Sequence, residues 1–183
     1  TSLYQLSGAH DDLGLTANQW DLAAFNQTVP PILPSVSVWE TLDNYIPILA
    51  AMGIKHLRLS VEWHFIEPKC GFFNPKAVLQ YQYLLKKCHQ YGIEPMLTLY
   101  HFSQPAWFAA KGGFENQDNI VFFVNYAKHV VMHLSPWVSR WCSINEPAVE
   151  AFSGYLYGQF PPHQRLQFTK AATVLKHLLM AHM

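Results

Sequence analysis

The stretch Trp141-Cys142-Ser143-Ile144-Asn145-Glu146-Pro147 decides how this chain is read. Its apolar part runs to Ile144, stops at an amide and a carboxylate, and is closed by a proline. As a strand it buries the apolar part and presents Asn145 and Glu146 where the strand ends. Pro147 has no N–H to give to a ladder, so the chain turns away there. A carboxylate at the carboxyl end of a buried parallel strand is where α/β barrels keep their chemistry. The plainer reading of Glu146 alone is an acid at a helix start or in a loop.

Working outward, upstream segments repeat one arrangement. Ile54 to Val61 reads as a strand, with Leu57, Leu59 and Val61 alternating against His56, Arg58 and Ser60. Ile93 to Tyr100 reads as another, and Trp137 to Ile144 as the next. Residues 1–8 form a short strand-like run, followed by an expected loop over 11–34 that carries Trp20-Asp21. Between the strands stand helical patterns. Ser37 and Glu40 have capping-box spacing, and Leu42, Tyr45, Ile46, Leu49 and Met52 define a stripe, with a kink expected at Pro47. Asn74-Pro75 opens a helix to about Tyr91. Others are expected over roughly 118–134 and 168–183, with a Gly/Pro/aromatic loop over 153–164. Gly53 and Gly92 stop helices at the same kind of junction.

Alternating strands and helices imply a parallel sheet with right-handed crossovers. A doubly wound open sheet and part of an eight-stranded barrel both satisfy that. The open sheet usually carries a Gly-rich phosphate turn after its first strand, and none follows Gly8. The barrel expects polar residues at successive carboxyl ends of strands, and Gln5, Arg58, His101 and Asn145-Glu146 fall there, one set per strand.

The 183 residues are enough for one domain with a real core, and 13% charged residues exclude a disordered chain. Twelve Lys+Arg balance twelve Asp+Glu, so no electrostatic argument points to nucleic acid or an anionic membrane. No apolar run is long enough for a membrane span, and no signal peptide is seen. Three scattered cysteines suggest a reducing compartment, hence an expected cytoplasmic location, although the start at Thr1 leaves room for an upstream segment.

The strand-end residues suit sugar chemistry. Gln and Asn amides donate and accept, neutral His does one of each, and such a set matches vicinal hydroxyls. Glu146 can protonate a leaving oxygen, and Arg58 can keep a nearby carboxylate ionised. Taken singly, His101 or Gln5 is more often a satisfied structural group.

Residues 39–183 resemble the first half of a family 1 glycoside hydrolase, the β-glucosidase group. The resemblance is carried by His56-Leu-Arg-Leu-Ser60, Glu94-Pro-Met-Leu-Thr-Leu-Tyr-His101, Ile144-Asn-Glu-Pro147, Gly154-Tyr155 with Gly158, and Leu178-Leu-Met-Ala-His182. Tyr4-Gln-Leu-Ser-Gly8 and Trp20-Asp21 resemble its first strand and following loop. The resemblance implies the N-terminal half of one (β/α)8 barrel, and so a fragment of a longer chain. It implies a retaining β-glycosidase with a β-glucoside or related substrate and no cofactor or metal. Glu146 would be the general acid/base, its pKa raised by neighbours and desolvation. Asn145 would bind the 2-hydroxyl, Gln5 and His101 other hydroxyls, and Arg58 would orient the nucleophile.

Several positions depart from the pattern. Phe102 stands for a sugar-contacting Trp, Ser7 for Glu, Phe114 for Trp, and Glu62 and Phe65 for Ser and Arg. The nucleophile belongs to a later strand, and none of Glu40, Glu62, Glu67, Glu94, Glu115 or Glu150 lies in its motif. The rival expectation is therefore a catalytically inactive sugar-binding or scaffold protein on the same barrel. His129 and His133 are spaced as a helical metal pair but lack the HExxH pattern, so a helix surface is the simpler reading. Segment 67–73, with Cys70-Gly71, reads as a turn.

Overall fold

The structure is a computed structural model that describes residues 17–28 and 38–183. The expected first strand, with Gln5 and Ser7, lies outside the described residues, as does Ser37 of the expected capping box. The described elements are α1 (Gln19–Phe25), α2 (Val38–Ala51), β1 (His56–Ser60), α3 (Trp63–Ile66), α4 (Pro75–Gln90), β2 (Glu94–Tyr100), α5 (Ala106–Ala110), α6 (Ile120–Leu134), β3 (Arg140–Ile144), α7 (Pro147–Tyr155) and α8 (Phe168–His182). Short 3₁₀ turns precede α6 and β3. The strands pair in parallel in the order β1-β2-β3, with Ser60 opposite Thr98 and Tyr100 opposite Ile144. Each step from one strand to the next passes through helices, as the alternation requires.

The local signals explain most boundaries. Asn74 accepts the Lys76 N–H at 3.0 Å and Pro75 follows at the first helical position, so α4 starts where expected. Gly92 ends it at φ +68°, a conformation that needs no Cβ relief in glycine. Helix α2 runs through Pro47. Its stripe is narrower than expected: Leu42 and Ile46 are buried, whereas Tyr45 and Met52 face outward.

Three readings of the sequence need correction. The segment expected as a loop over 11–34 contains helix α1. Asn18 Oδ1 accepts the N–H groups of Trp20 and Asp21, and Asp21 Oδ2 accepts the Asn18 N–H at 2.9 Å, closing a capping box. The strand expected over Ile54 to Val61 is shorter, His56–Ser60, and the chain coils into α3 at Trp63. The loop expected from Ser153 begins later, since α7 runs from Pro147 to Tyr155.

The core lies between the sheet and the helices. Trp63 is fully buried, stacked on Tyr126 at 5.0 Å with an 18° interplanar angle and packed on Phe108 and Phe123. The tyrosines inside it also satisfy strand ends. The Tyr126 hydroxyl donates toward Val61 O and Leu99 O, at 3.1 and 2.9 Å, and the Tyr81 hydroxyl accepts the Glu62 N–H at 2.8 Å. Segment 67–73 is held similarly, for Glu67 accepts the Trp63 indole N–H and the Gly71 N–H, each at 2.8 Å. These bonds anchor the carboxyl ends of β1 and β2.

Candidate active site

The carboxyl ends of β2 and β3 carry the polar groups. Asn145 extends the ladder by giving its N–H to Tyr100 O at 2.8 Å, so it is fixed beside β2 and is buried. Glu146 follows in a left-handed conformation, φ 43° and ψ 62°, and is the N-cap of α7. A non-glycine residue there is strained by about 1–2 kcal/mol, and such strain persists where surrounding bonds hold it. Here the Glu146 carbonyl accepts Val149 N–H at 2.9 Å and Glu150 N–H at 3.2 Å, and Pro147 starts the helix. Glu146 is thus both the helix-start acid of the plain reading and a carboxylate projecting from a strand end. Its side chain is exposed.

Arg58 sits in the middle of β1, not at its end, and reaches the rim by its length. Its Nε donates to Thr98 Oγ1 and its Nη2 to Asn145 Oδ1, both at 2.8 Å. Nη2 also stands 3.5 Å from Cys142 Sγ. A guanidinium can only donate, so the amide oxygen of Asn145 must face Arg58. That fixes the amide: Nδ2 points away from Arg58, 3.4 Å from Glu146 Oε2. Arg58, Asn145 and Glu146 therefore form one hydrogen-bonded chain.

His101 follows Tyr100 at the end of β2 and is half-buried. Burial, reinforced by the Arg58 charge, lowers its pKa to about 4, so the ring is neutral near pH 7. Its Nδ1 is buried and finds no hydrogen-bond partner among the described residues. Phe102, next along, is also left-handed at φ 66°. Its carbonyl is fastened by the Trp20 indole N–H at 2.6 Å and the Gln19 amide at 3.1 Å. Its ring packs edge-on against Phe160, which meets Trp20 in turn.

The structure therefore brings together Arg58, His101, Asn145 and Glu146, while Gln5 lies outside the described residues. The sequence reading missed the parts that hold them. Thr98 pairs with Ser60 and meets the Arg58 guanidinium diagonally, a contact that no spacing in the sequence announces. Gln19 and Trp20 act through a main-chain carbonyl, for which no side-chain pattern exists. The His129 and His133 rings lie 4.2 Å apart on α6, tilted by 34°, with Phe73 stacked on His129, and no group of three metal-ligating side chains occurs among the described residues.

Residues 1–183 match glycosyl hydrolase family 1. The chain is 31% identical over 183 residues to a 6-phospho-beta-galactosidase of Staphylococcus haemolyticus, covering all of this chain and 39% of that protein. Among solved structures, a beta-glucosidase from Exiguobacterium marinum superposes with TM-score 0.92 at 30% identity, covering the whole chain and 42% of that protein. A beta-glycosidase from Pyrococcus horikoshii does so with TM-score 0.89 at 31% identity, again over the whole chain and 42% of that protein. The chain thus spans about two fifths of the length of the relatives it matches. The three parallel strands among the described residues, with their helices, form part of a (β/α)8 barrel like that of these neighbours. On the match over its whole length, the chain belongs to glycosyl hydrolase family 1.

Proposed function

We propose that the protein carrying this chain is a retaining β-glycosidase in which Glu146 is the general acid/base. The observation that carries this reading is the chain from Arg58 through Asn145 to Glu146 at the strand ends. Glu146 protonates the glycosidic oxygen as a second carboxylate attacks the anomeric carbon. The leaving alcohol takes that proton. Glu146 then removes a proton from water as water displaces the enzyme carboxylate. The amide of Asn145, its oxygen held by Arg58, directs Nδ2–H toward the sugar 2-hydroxyl. Neutral His101 offers one donor and one acceptor to another hydroxyl. Retention requires the two carboxyl groups about 5 Å apart, and we assign the second to a later strand of the same barrel, outside residues 1–183.

The names of the relatives support a β-linked gluco- or galactoside as the substrate class. Relatives named as a 6-phospho-beta-galactosidase and as beta-glucosidases make phosphorylated and free sugars the two arms of the assay. Aryl β-glucosides and β-galactosides, each with and without a 6-phosphate, should show turnover of one arm. The role of Glu146 is tested with Glu146→Gln. Loss of one positioned acid lowers the rate by about 10² to 10⁴ on substrates with poor leaving groups. An activated aryl glycoside should suffer far less in glycosylation, and azide should restore turnover. Equal losses on both, without azide rescue, would refute the assignment. Sugar binding with no turnover in any arm would replace it by the inactive, sugar-binding reading.

A further inference from the structure

One carboxyl group near the site takes no part in the chemistry above. Glu150 lies one helical turn beyond Glu146 on α7 and is buried, with 7% of its surface exposed. The Tyr100 hydroxyl donates to its Oε1 at 2.9 Å, while Oε2 is buried and finds no partner among the described residues. The same Tyr100 accepts the Asn145 N–H on its carbonyl, at 2.8 Å. One residue of β2 therefore grips the strained Glu146 from both sides, by main chain just before it and by side chain one turn after it.

We propose that Glu150 is a positioning residue: as the neutral acid it ties the first turns of α7 to the end of β2 through Tyr100, and thereby holds Glu146 at the rim. The physical reason is the single donor. An ionised carboxylate in a dry site needs several donors, and among the described residues Glu150 has one. Burial accordingly raises its pKa to about 7, so the clamp is neutral below neutrality and charged above it.

The groups facing it do not supply a second donor. Tyr155 on α7 gives its hydroxyl to Glu115 at 3.0 Å, and burial pushes its own ionisation far up. Glu115 pairs with Lys170 of α8 at 3.1 Å. His177 of α8 directs Nδ1 to the Phe114 carbonyl at 2.8 Å. The Gln19 amide lies beside the Tyr100 hydroxyl.

The role in positioning rests on Glu146 being the acid/base, so the test reads the clamp separately from activity. In the intact protein, amide hydrogen exchange of residues 147–155, corrected for intrinsic rates, is followed from pH 5.5 to 8.5. Helix α4 serves as the internal reference. Wild type should lose protection of 147–155 by about tenfold per pH unit as pH rises from 5.5 to about 7 and level off above it, as a single ionisation coupled to opening requires. Glu150→Gln, neutral at every pH, should show no such loss, and Tyr100→Phe should lower protection at all pH values while keeping its ring contacts. The pH dependence of kcat/KM should differ between wild type and Glu150→Gln above pH 7. Flat wild-type protection, the same pH-dependent loss in Glu150→Gln, or Tyr100→Phe indistinguishable from wild type would each overturn the clamp. If those arms succeed and no glycoside is turned over, the clamp stands and the glycosidase reading falls.

Discussion

The amide of Asn145 has one orientation because Arg58 has no acceptor to offer it. Arg58→Met should therefore do more than remove a charge: it leaves Asn145 Oδ1 buried and unpaired, at a cost of about 1–3 kcal/mol. Arg58→Lys should be nearly as damaging, since one ammonium cannot reproduce the fork that serves Thr98 and Asn145 together. Asn145→Ala should reduce kcat/KM by about ten- to hundredfold on a normal glycoside, and much less on its 2-deoxy analogue. Equal losses on both substrates would show that Asn145 does not contact the 2-hydroxyl. Two groups of the site also pull stability in opposite directions with pH. Glu150, raised from 4.5 to about 7, favours the folded state when protonated. Its contribution is full below pH 4.5 and falls as pH rises to about 7, by up to about 1.4 kcal/mol per unit. His101, lowered from 6.5 to about 4, favours the folded state when neutral, so stability is lost as pH falls through that window. Between pH 4.5 and 6.5 the two slopes oppose, and the wild-type curve should be shallow there. Urea titrations across that range should become visibly steeper in Glu150→Gln, with stability increasing as pH rises.

Elements converge on the rim through their ends. Both β2 and β3 are followed by a left-handed residue that is not glycine, Phe102 and Glu146, and each is held from outside its own strand. At Glu146 the strain is measurable by comparing two variants that both lack the carboxylate. Glu146→Gly should melt higher than Glu146→Ala, by the equivalent of about 1 kcal/mol, because only glycine accepts φ 43° freely. Equal melting points would mean that the turn carries no strain. Helix α1 plays its part at a distance. Asn18→Ala removes the cap and costs about 1 kcal/mol, loosening the Gln19 and Trp20 contacts with the Phe102 carbonyl. Calorimetry gives the first effect, and Trp20 fluorescence against that of an Asn18→Ser variant, which keeps a cap, gives the second.

At the scale of the molecule, β2 is paired on both sides, while β3 has one strand neighbour, β2, among the described residues. The polar group at the amino ends of the strands is also open: Arg140 Nη2 and Glu94 Oε2 meet at 2.6 Å with both side chains well exposed. A sheet with open edges and half-filled inner layers recruits other chains. The 183-residue polypeptide on its own should therefore associate in sedimentation experiments, and a compact, cooperative monomer would show a self-sufficient domain. Among the described residues no helix is long and apolar enough to cross a membrane.

What the sequence determined by itself is the alternation of strands and longer helices after residue 38 and the barrel class, and it singled out Arg58, His101, Asn145 and Glu146 as candidates. These are legible because hydrophobic period, helix stops such as Gly92 and caps such as Asn74 act over a few residues. Helix α1 was hidden because its cap, Asn18 to Asp21, sits in a stretch with little apolar repetition. Only the tertiary structure decided that Arg58 works from mid-strand, that Glu146 is held left-handed, and that Tyr100 joins Asn145 to Glu150. Each depends on two segments far apart in sequence meeting at hydrogen-bond distance, and such distances are set by packing of the whole sheet against its helices.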